Sequence, residues 1–189
     1  MNNSRPRVRR GFDLKNMIKH KEQRVGVFVD VQNMYHSAKH LYQANVNFQE
    51  ILKTAISGRK LIRAVVYGIV SPGGEEKKFL ETLTKQGFEV KVKDLQIFPG
   101  GAKKADWDVG LAVDAIKMAD KLDVIVLVSG DGDFIPLIHY LQENKGCLVE
   151  LISFERSTSG KLIEAVDDFT DLGKNPGKYL LKSAARRRR

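Results

Sequence analysis

Asp131 and Asp133 stand in Ser129-Gly130-Asp131-Gly132-Asp133-Phe134, directly after Val124-Ile125-Val126-Leu127-Val128. Five apolar residues in a row read as a strand buried on both faces, the kind found inside a helix-covered parallel sheet. The same arrangement occurs earlier, where Val25-Gly26-Val27-Phe28-Val29 ends in Asp30. Carboxylates at the ends of two central strands are costly unless something uses them. Two unit charges about 5 Å apart repel by roughly 3 kcal/mol at an effective dielectric of about 20. Several such pairs would rival the ~5–15 kcal/mol by which a domain is stable. Partial protonation or a divalent cation must relieve that repulsion. With oxygen ligands and no His or Cys among them, Mg²⁺ or Mn²⁺ is expected rather than Zn²⁺.

The elements that must position these acids follow from periodicity and punctuation. The spacing predicts a first strand over 25–30, a helix after it that Asn33 can cap and that runs to about Leu41, and a helix over 48–57 closed by Gly58. A second strand spans 61–70, and Ser71-Pro72-Gly73-Gly74 opens a helix over 75–86. Phe88 to Lys93 alternates apolar and polar, as an edge strand should. Residues 94–105 read as a long loop, and loops of that length are often functional. A helix from Asp106 to about Lys121, a strand over 123–129, a helix over 134–144, a strand over 147–153 and a last helix near 160–172 complete the body. Residues 12–22 carry a weak signal for a short helix. Strands alternating with helices define an α/β class: a three-layer α/β/α sandwich around a parallel, Rossmann-like sheet.

That topology gathers the acids. In an open parallel sheet, ligands bind beyond the carboxyl ends of the strands, where strand order reverses. With strand order 3-2-1-4-5, the first and fourth strands are neighbours and Asp30 and Asp131 end on one rim. Asp108 begins the helix that feeds the fourth strand, and Asp133 begins the helix after it, so both start on that rim as well. Four carboxylates from distant parts of the chain are thus expected to converge. Structural roles compete for some of them: Asp108 and Asp133 suit helix N-caps, and Asp106 equally suits capping the helix that Asp108 enters. Asp114 lies six residues past Asp108, about 240° round a regular helix, so the two cannot face one ion. Anchoring helix to loop fits it better, and Asn33, Asp106, Asp114 and Ser129 are candidate supporting residues around the four acids.

The charge of +9 is unevenly placed. Residues 25–172 carry 17 Lys and Arg against 21 Asp and Glu, residues 1–24 carry 8 against 2, and residues 173–189 carry 7 and no acid. An acidic body (−4) with basic ends (+6 and +7) fits a metal site served by arms that attract a polyanion, with basic ends that only aid solubility as the plainer alternative. This divides the chain into a basic N-terminal arm over 1–23, a domain over 24–172 and a basic C-terminal tail over 173–189. The single cysteine, Cys147, excludes an intrachain disulfide and a cysteine zinc site. The absence of a transmembrane-length apolar run and of a hydrophobic stretch behind the N-terminal basic residues leads us to expect a cytoplasmic protein with no membrane partner. Lys103 and Lys104 beside the acids, and Arg186, Arg187, Arg188 and Arg189, are candidate phosphate contacts, although a solvated loop suits the two lysines equally. Trp107 could stack a base or pack against the sheet. His36 and His40 are spaced i, i+4 but lack the glutamate of a zinc-protease motif, so surface or packing roles suit them.

Three strings carry a family resemblance: Val27-Phe28-Val29-Asp30-Val31-Gln32-Asn33, Lys104-Ala105-Asp106-Trp107-Asp108-Val109-Gly110-Leu111-Ala112-Val113-Asp114-Ala115, and Ser129-Gly130-Asp131-Gly132-Asp133-Phe134-Ile135-Pro136-Leu137. In this order they resemble the NYN domain family of PIN-like nucleases, and the LabA-like subgroup most. The resemblance implies a metal-dependent ribonuclease with Asp30, Asp108, Asp131 and Asp133 as catalytic, metal-binding acids. Asn33 matches the family's asparagine after the first acid. The implied reaction is hydrolysis of an RNA phosphodiester, in single-stranded or structured RNA, with Mg²⁺ or Mn²⁺ as cofactor. A catalytically silent regulator that binds RNA or protein through the same fold is the alternative, and a homodimer is left open. A haloacid-dehalogenase-type phosphatase would need a second aspartate two residues after Asp30, where Gln32 stands.

Overall fold

A computed structural model of the chain describes residues 19–71, 73–74, 76–97, 103–104 and 107–181. The first apolar run becomes β1 (Arg24–Asp30), and the chain enters α1 (Val31–Tyr42) without a loop. A short β2 (Asn45–Val46) and α2 (Phe48–Ile56) lead to the long β3 (Lys60–Val70). Next come α3 (Lys77–Lys85), β4 (Glu89–Asp94), β5 (Gln96–Ile97) and β6 (Lys103–Lys104). The second half runs α4 (Asp108–Ala119), β7 (Val124–Val128), α5 (Ile135–Asn144), β8 (Leu148–Ser153), α6 (Gly160–Ala165) and β9 (Asp168–Asp171), then α7 (Pro176–Tyr179) and β10 (Leu180–Leu181).

Six strands form one sheet in the order β4-β3-β1-β7-β8-β9, every neighbouring pair parallel. The period of two along each strand builds the layers. Val25, Val27 and Val29 of β1 pack with Val124, Val126 and Val128 of β7 against Met34 of α1, Ile51 of α2 and Leu83 of α3. The alternate residues Phe28, Ile125 and Leu127 face the opposite layer, with Leu111 of α4, Ile138 of α5 and Leu162 of α6. Truncating any of these large core residues to alanine should cost about 2–5 kcal/mol. Because β1 sends its helix to one face and β7 sends its helix to the other, the sheet has a switch point between the carboxyl ends of these two strands.

The three-layer α/β/α class is therefore the fold of this protein, and the five expected strands lie in the expected order. Four local readings need correction. The last helix, expected near 160–172, stops at Ala165, and Asp168–Asp171 adds a sixth parallel strand beside β8. The segment expected as a loop over 94–105 contains an antiparallel pairing of Gln96–Ile97 with Lys103–Lys104. The cap of α1 is Asp30 rather than Asn33: Asp30 Oδ1 accepts the Asn33 backbone N–H at 3.0 Å. Residues 173–181, assigned to the basic tail, fold back on the body, where Leu180 pairs with Val46 and Tyr179 is buried. Of the weak helix at 12–22, residues 12–18 lie outside the described residues, and 21–22 form a turn.

Candidate metal centre at the switch point of the sheet

Asp30 ends β1 and at once starts α1, so its carboxylate is held from two sides. Oδ1 caps the helix through the Asn33 amide, and Oδ2 accepts the Ser129 hydroxyl at 3.3 Å. Ser129 is fully buried at the end of β7, and its Oγ also accepts the Asp131 backbone N–H at 3.3 Å. Asn33 closes the ring across the switch point, its side-chain oxygen accepting the Gly130 N–H at 2.9 Å. One hydroxyl and one amide thus tie the two strand ends together and fix both acids.

Asp131 occupies the equivalent place after β7. Its Oδ1 accepts the Asp133 N–H at 2.9 Å and caps the 3₁₀ turn Gly132–Phe134 that leads into α5. Both strand-end aspartates therefore cap the helix that follows, and each keeps carboxylate lone pairs for another partner. Burial pushes the Asp30 carboxyl above its ordinary value; the Asn33 and Ser129 bonds pull it down, and the nearby Asp131 charge raises it again, leaving it raised overall.

Glycine makes the turn possible. A Cβ at Gly130 would lie 2.8 Å from the Ser157 carbonyl oxygen and 3.0 Å from the Thr158 hydroxyl. One at Gly132 would meet Ser159 Oγ at 3.0 Å. The segment after β8 is thus pressed against the acidic turn, with Ser159 N–H donating to Gly130 O at 3.1 Å and the Ser153 and Thr158 hydroxyls 2.7 Å apart. Sequence reasoning missed these residues. Their signal was the polar run Ser157-Thr158-Ser159-Gly160 just past a buried strand.

Asp108 sits at the first turn of α4, which Trp107 seats on the sheet. The indole Nε1 donates to Gly68 O of β3 at 2.8 Å, the ring meets Tyr67 at 5.4 Å between centroids, and Lys93 Nζ lies 4.4 Å from the ring centre. Gly110 has no side chain because the Trp107 ring fills that space, 2.5 Å from where its Cβ would be. Asp108 and Asp133 line one shallow groove between α4 and α5, with Val109, Phe134 and Tyr140. Asp114 faces β3 and β4 instead: its Oδ2 accepts the Tyr67 hydroxyl at 2.8 Å and the Lys91 ammonium at 2.6 Å. Asp106 and Arg186–Arg189 lie outside the described residues, and Lys103 and Lys104 are described only as backbone of β6.

The four acids are therefore strung along the rim rather than closed into a cage. Asp30 and Asp131 interact across the switch point, Asp133 is bonded to Asp131, and Asp108 shares a groove with Asp133. Among the described residues no three His, Cys, Asp or Glu side chains form a cation cage. The donor set nevertheless fits Mg²⁺ or Mn²⁺: hard oxygens, a carboxyl with raised pKa, and no imidazole or thiol. Mg²⁺ keeps several waters and commonly takes only one or two protein carboxylates plus substrate phosphate oxygens. Among the described residues no helix is long and apolar enough to cross a membrane.

Comparison with known proteins agrees with this architecture. Over 164 residues the chain is 24% identical to the low amplitude and bright protein LabA of Synechococcus elongatus, covering 79% of this chain and 83% of that protein. A crystal structure of a protein of unknown function from Vibrio parahaemolyticus superposes with a TM-score of 0.77 at 32% identity, covering 87% of this chain and all of that one. The NYN domain profile matches residues 24–173, which span β1 to the last turn before α7 and include every acid described above. The chain belongs to the NYN domain family, on its LabA-like side.

Proposed function

We propose that this protein is a metal-dependent ribonuclease whose centre is the Asp30–Asp131 pair, with Asp133 and Asp108 beside it on the rim. The observation that carries this reading is the tie between two strand-end aspartates across the switch point: the buried Ser129 hydroxyl donates to the Asp30 carboxylate and accepts the Asp131 backbone N–H, and burial raises the Asp30 carboxyl. Membership of a PIN-like nuclease family supports it. Asp30 and Asp131 would hold the ion, and Asp133 and Asp108 would hold its outer waters. A bound Mg²⁺ or Mn²⁺ supplies an activated water and neutralises charge on the phosphate. Ser129 and Asn33 keep the two carboxylates in register, and the Gly130–Gly132 turn brings the backbone close enough for both to share one site. Lys103 and Lys104 and the basic ends would hold the RNA backbone, which makes binding salt-dependent.

The test is cleavage of single-stranded and structured RNA by purified protein with Mg²⁺, Mn²⁺ or EDTA, beside Asp30→Asn and Asp131→Asn. Cleavage is expected only with the cation, and a loss of at least about a hundredfold in either variant, since each removes a ligand. Calorimetric titration with Mn²⁺ should give a binding signal that Asp30→Asn abolishes. Undiminished cleavage in both variants overturns the proposal. A silent, RNA-binding regulator is the second reading. It draws on the observation that no three His, Cys, Asp or Glu side chains among the described residues are grouped to hold a metal ion, and it wins if RNA binds without turnover under every cation.

A further inference from the structure

Immediately beside Asp30 the rim opens into a cavity of about 540 Å³, between the start of α1, the end of β3 and the start of α3. Val31 and Gln32, the two residues after Asp30, form part of its wall, while Asp30 and Asp131 themselves do not line it. Two aromatic rings on its lining reach solvent: Tyr35 is 46% exposed and Phe79 37% exposed. Neither is loose. Phe79 packs on Phe48 at 5.7 Å between centroids, and the Lys39 ammonium lies 5.6 Å from the centre of the Tyr35 ring. The remaining wall is mixed: Val31, Val46, Phe48, Ile69 and Leu80 make an apolar floor, and Gln32, His36, Asn45 and Glu76 supply polar groups. Glu76 is fixed by the Ser71 hydroxyl at 2.6 Å and the Ser71 N–H at 3.2 Å, which leaves it an acceptor with lone pairs to spare.

Exposed aromatics with convergent polar groups match a flat ring whose edge carries donors and acceptors. The occupant must also suit the surroundings. Leu181 lines the cavity mouth, and the chain then runs Lys182 to Arg189. Arg186 is the fifth residue after Leu181, a reach of about 17 Å when extended, so the arginine run is tethered within reach of anything seated here. A polyanion carrying aromatic bases satisfies both features; an apolar peptide satisfies only the first.

We propose that this cavity is a nucleobase subsite, in which Tyr35 and Phe79 stack a base adjoining the phosphate at the acid pair and Glu76 reads the base edge. The proposal rests on the ribonuclease reading and names how its substrate is held. Guanine is the favoured occupant, since its N1–H and N2–H₂ offer adjacent donors to a carboxylate.

Binding of GMP, AMP, CMP and UMP to the full-length protein would be measured by saturation-transfer NMR and calorimetry in EDTA, where no RNA is cleaved. GMP is expected to bind at least fivefold tighter than UMP. Tyr35→Ala and Phe79→Ala should each weaken GMP about tenfold, the usual scale for one base–aromatic stack. Tyr35→Phe should restore it, and Glu76→Gln should erase the preference for GMP. The positions are exposed enough for the variants to fold, which thermal melts would verify. Equal binding of all four nucleotides, no binding, or GMP affinity unchanged in both alanine variants overturns the subsite. Cleavage assays run in parallel separate the two ideas. Metal-dependent cleavage by wild type with no nucleotide binding sinks the subsite alone. Base-selective binding without cleavage sinks the nuclease reading and leaves a nucleotide-binding cavity.

Discussion

Asp30 has two duties that pull against each other. As an N-cap it is interchangeable with asparagine, because either side chain can accept the Asn33 amide. As a part-buried carboxylate near Asp131 it favours the neutral form, and a bound cation would favour the ionised one. Its folded pKa is raised above 3.8, so the folded state takes up the proton first as pH falls. Metal-free protein should therefore gain stability as pH drops through the folded pKa towards the unfolded value, and lose it again on the way up. Asp30→Asn removes that dependence while keeping the cap. In EDTA at neutral pH its melting temperature should equal or exceed that of wild type by a few degrees, although its Mn²⁺ binding is lost; a melt lowered by more than about 5 °C would show that the carboxylate is stabilised by the protein itself. Gly130 behaves in the opposite way. With a Cβ 2.8 Å from the Ser157 carbonyl oxygen, Gly130→Ala must move backbone, at a cost of about 1–3 kcal/mol readable in urea melts.

At the scale of elements, α4 brings Asp108 to the rim on its first turn and buries Leu111, Ala115 and Ala119 below it. Two contacts pin it: Trp107 to Gly68, and Asp114 to Tyr67 and Lys91. Burial alone would raise the Asp114 carboxyl, but the Lys91 ammonium and the Tyr67 hydroxyl hold it below its ordinary value. Its contribution is thus present above the unfolded pKa and lost as pH falls through the folded one. Asp114→Asn keeps an acceptor for Tyr67 but no charge, and should be less stable than wild type above about pH 4 and converge with it in stronger acid. Asp114→Ala would strand the Tyr67 hydroxyl, whose residue is 1% exposed, and cost about 1–3 kcal/mol. These contacts also show where the sequence could and could not be read. The runs 25–29 and 124–128 announce buried strands because nothing else tolerates five apolar residues before an acid. β9 was invisible because Asp168-Phe169-Thr170-Asp171 is a polar edge whose pairing with β8 is fixed by neighbours, not by its own pattern. Asn33 was misread as the cap because β1 passes into α1 without a loop, and an acid closing a strand looks the same as an acid opening a helix. The cavity between α1, β3 and α3 could not be read at all, since Tyr35, Phe79 and Leu181 come from three distant segments.

Over the whole molecule, the body is acidic where the ions would bind, and the cations that could attract RNA are concentrated at the two ends. In the proposed ribonuclease, cations at the two ends would offset at long range the repulsion between an acidic body and a polyanion. The C-terminal end makes the argument measurable. Leu181 is the last residue of β10 and stands at the cavity mouth; the eight residues after it contain Lys182 and four arginines. Ending the chain at Leu181 lowers the net charge from +9 to +4 and leaves β10 paired with β2. If those five cations each displace a counterion from single-stranded RNA, the slope of log K against log salt should shrink by up to about 3.5, at roughly 0.7 per contact. The difference between full-length and shortened protein should therefore be large near 50 mM salt and small near 500 mM, as fluorescence anisotropy of a labelled RNA in EDTA would show. Mononucleotide affinity should hardly change, because one phosphate offers little for a tail to neutralise. An unchanged slope would mean that the tail does not touch the RNA, and that the groups holding the backbone lie on the folded body instead.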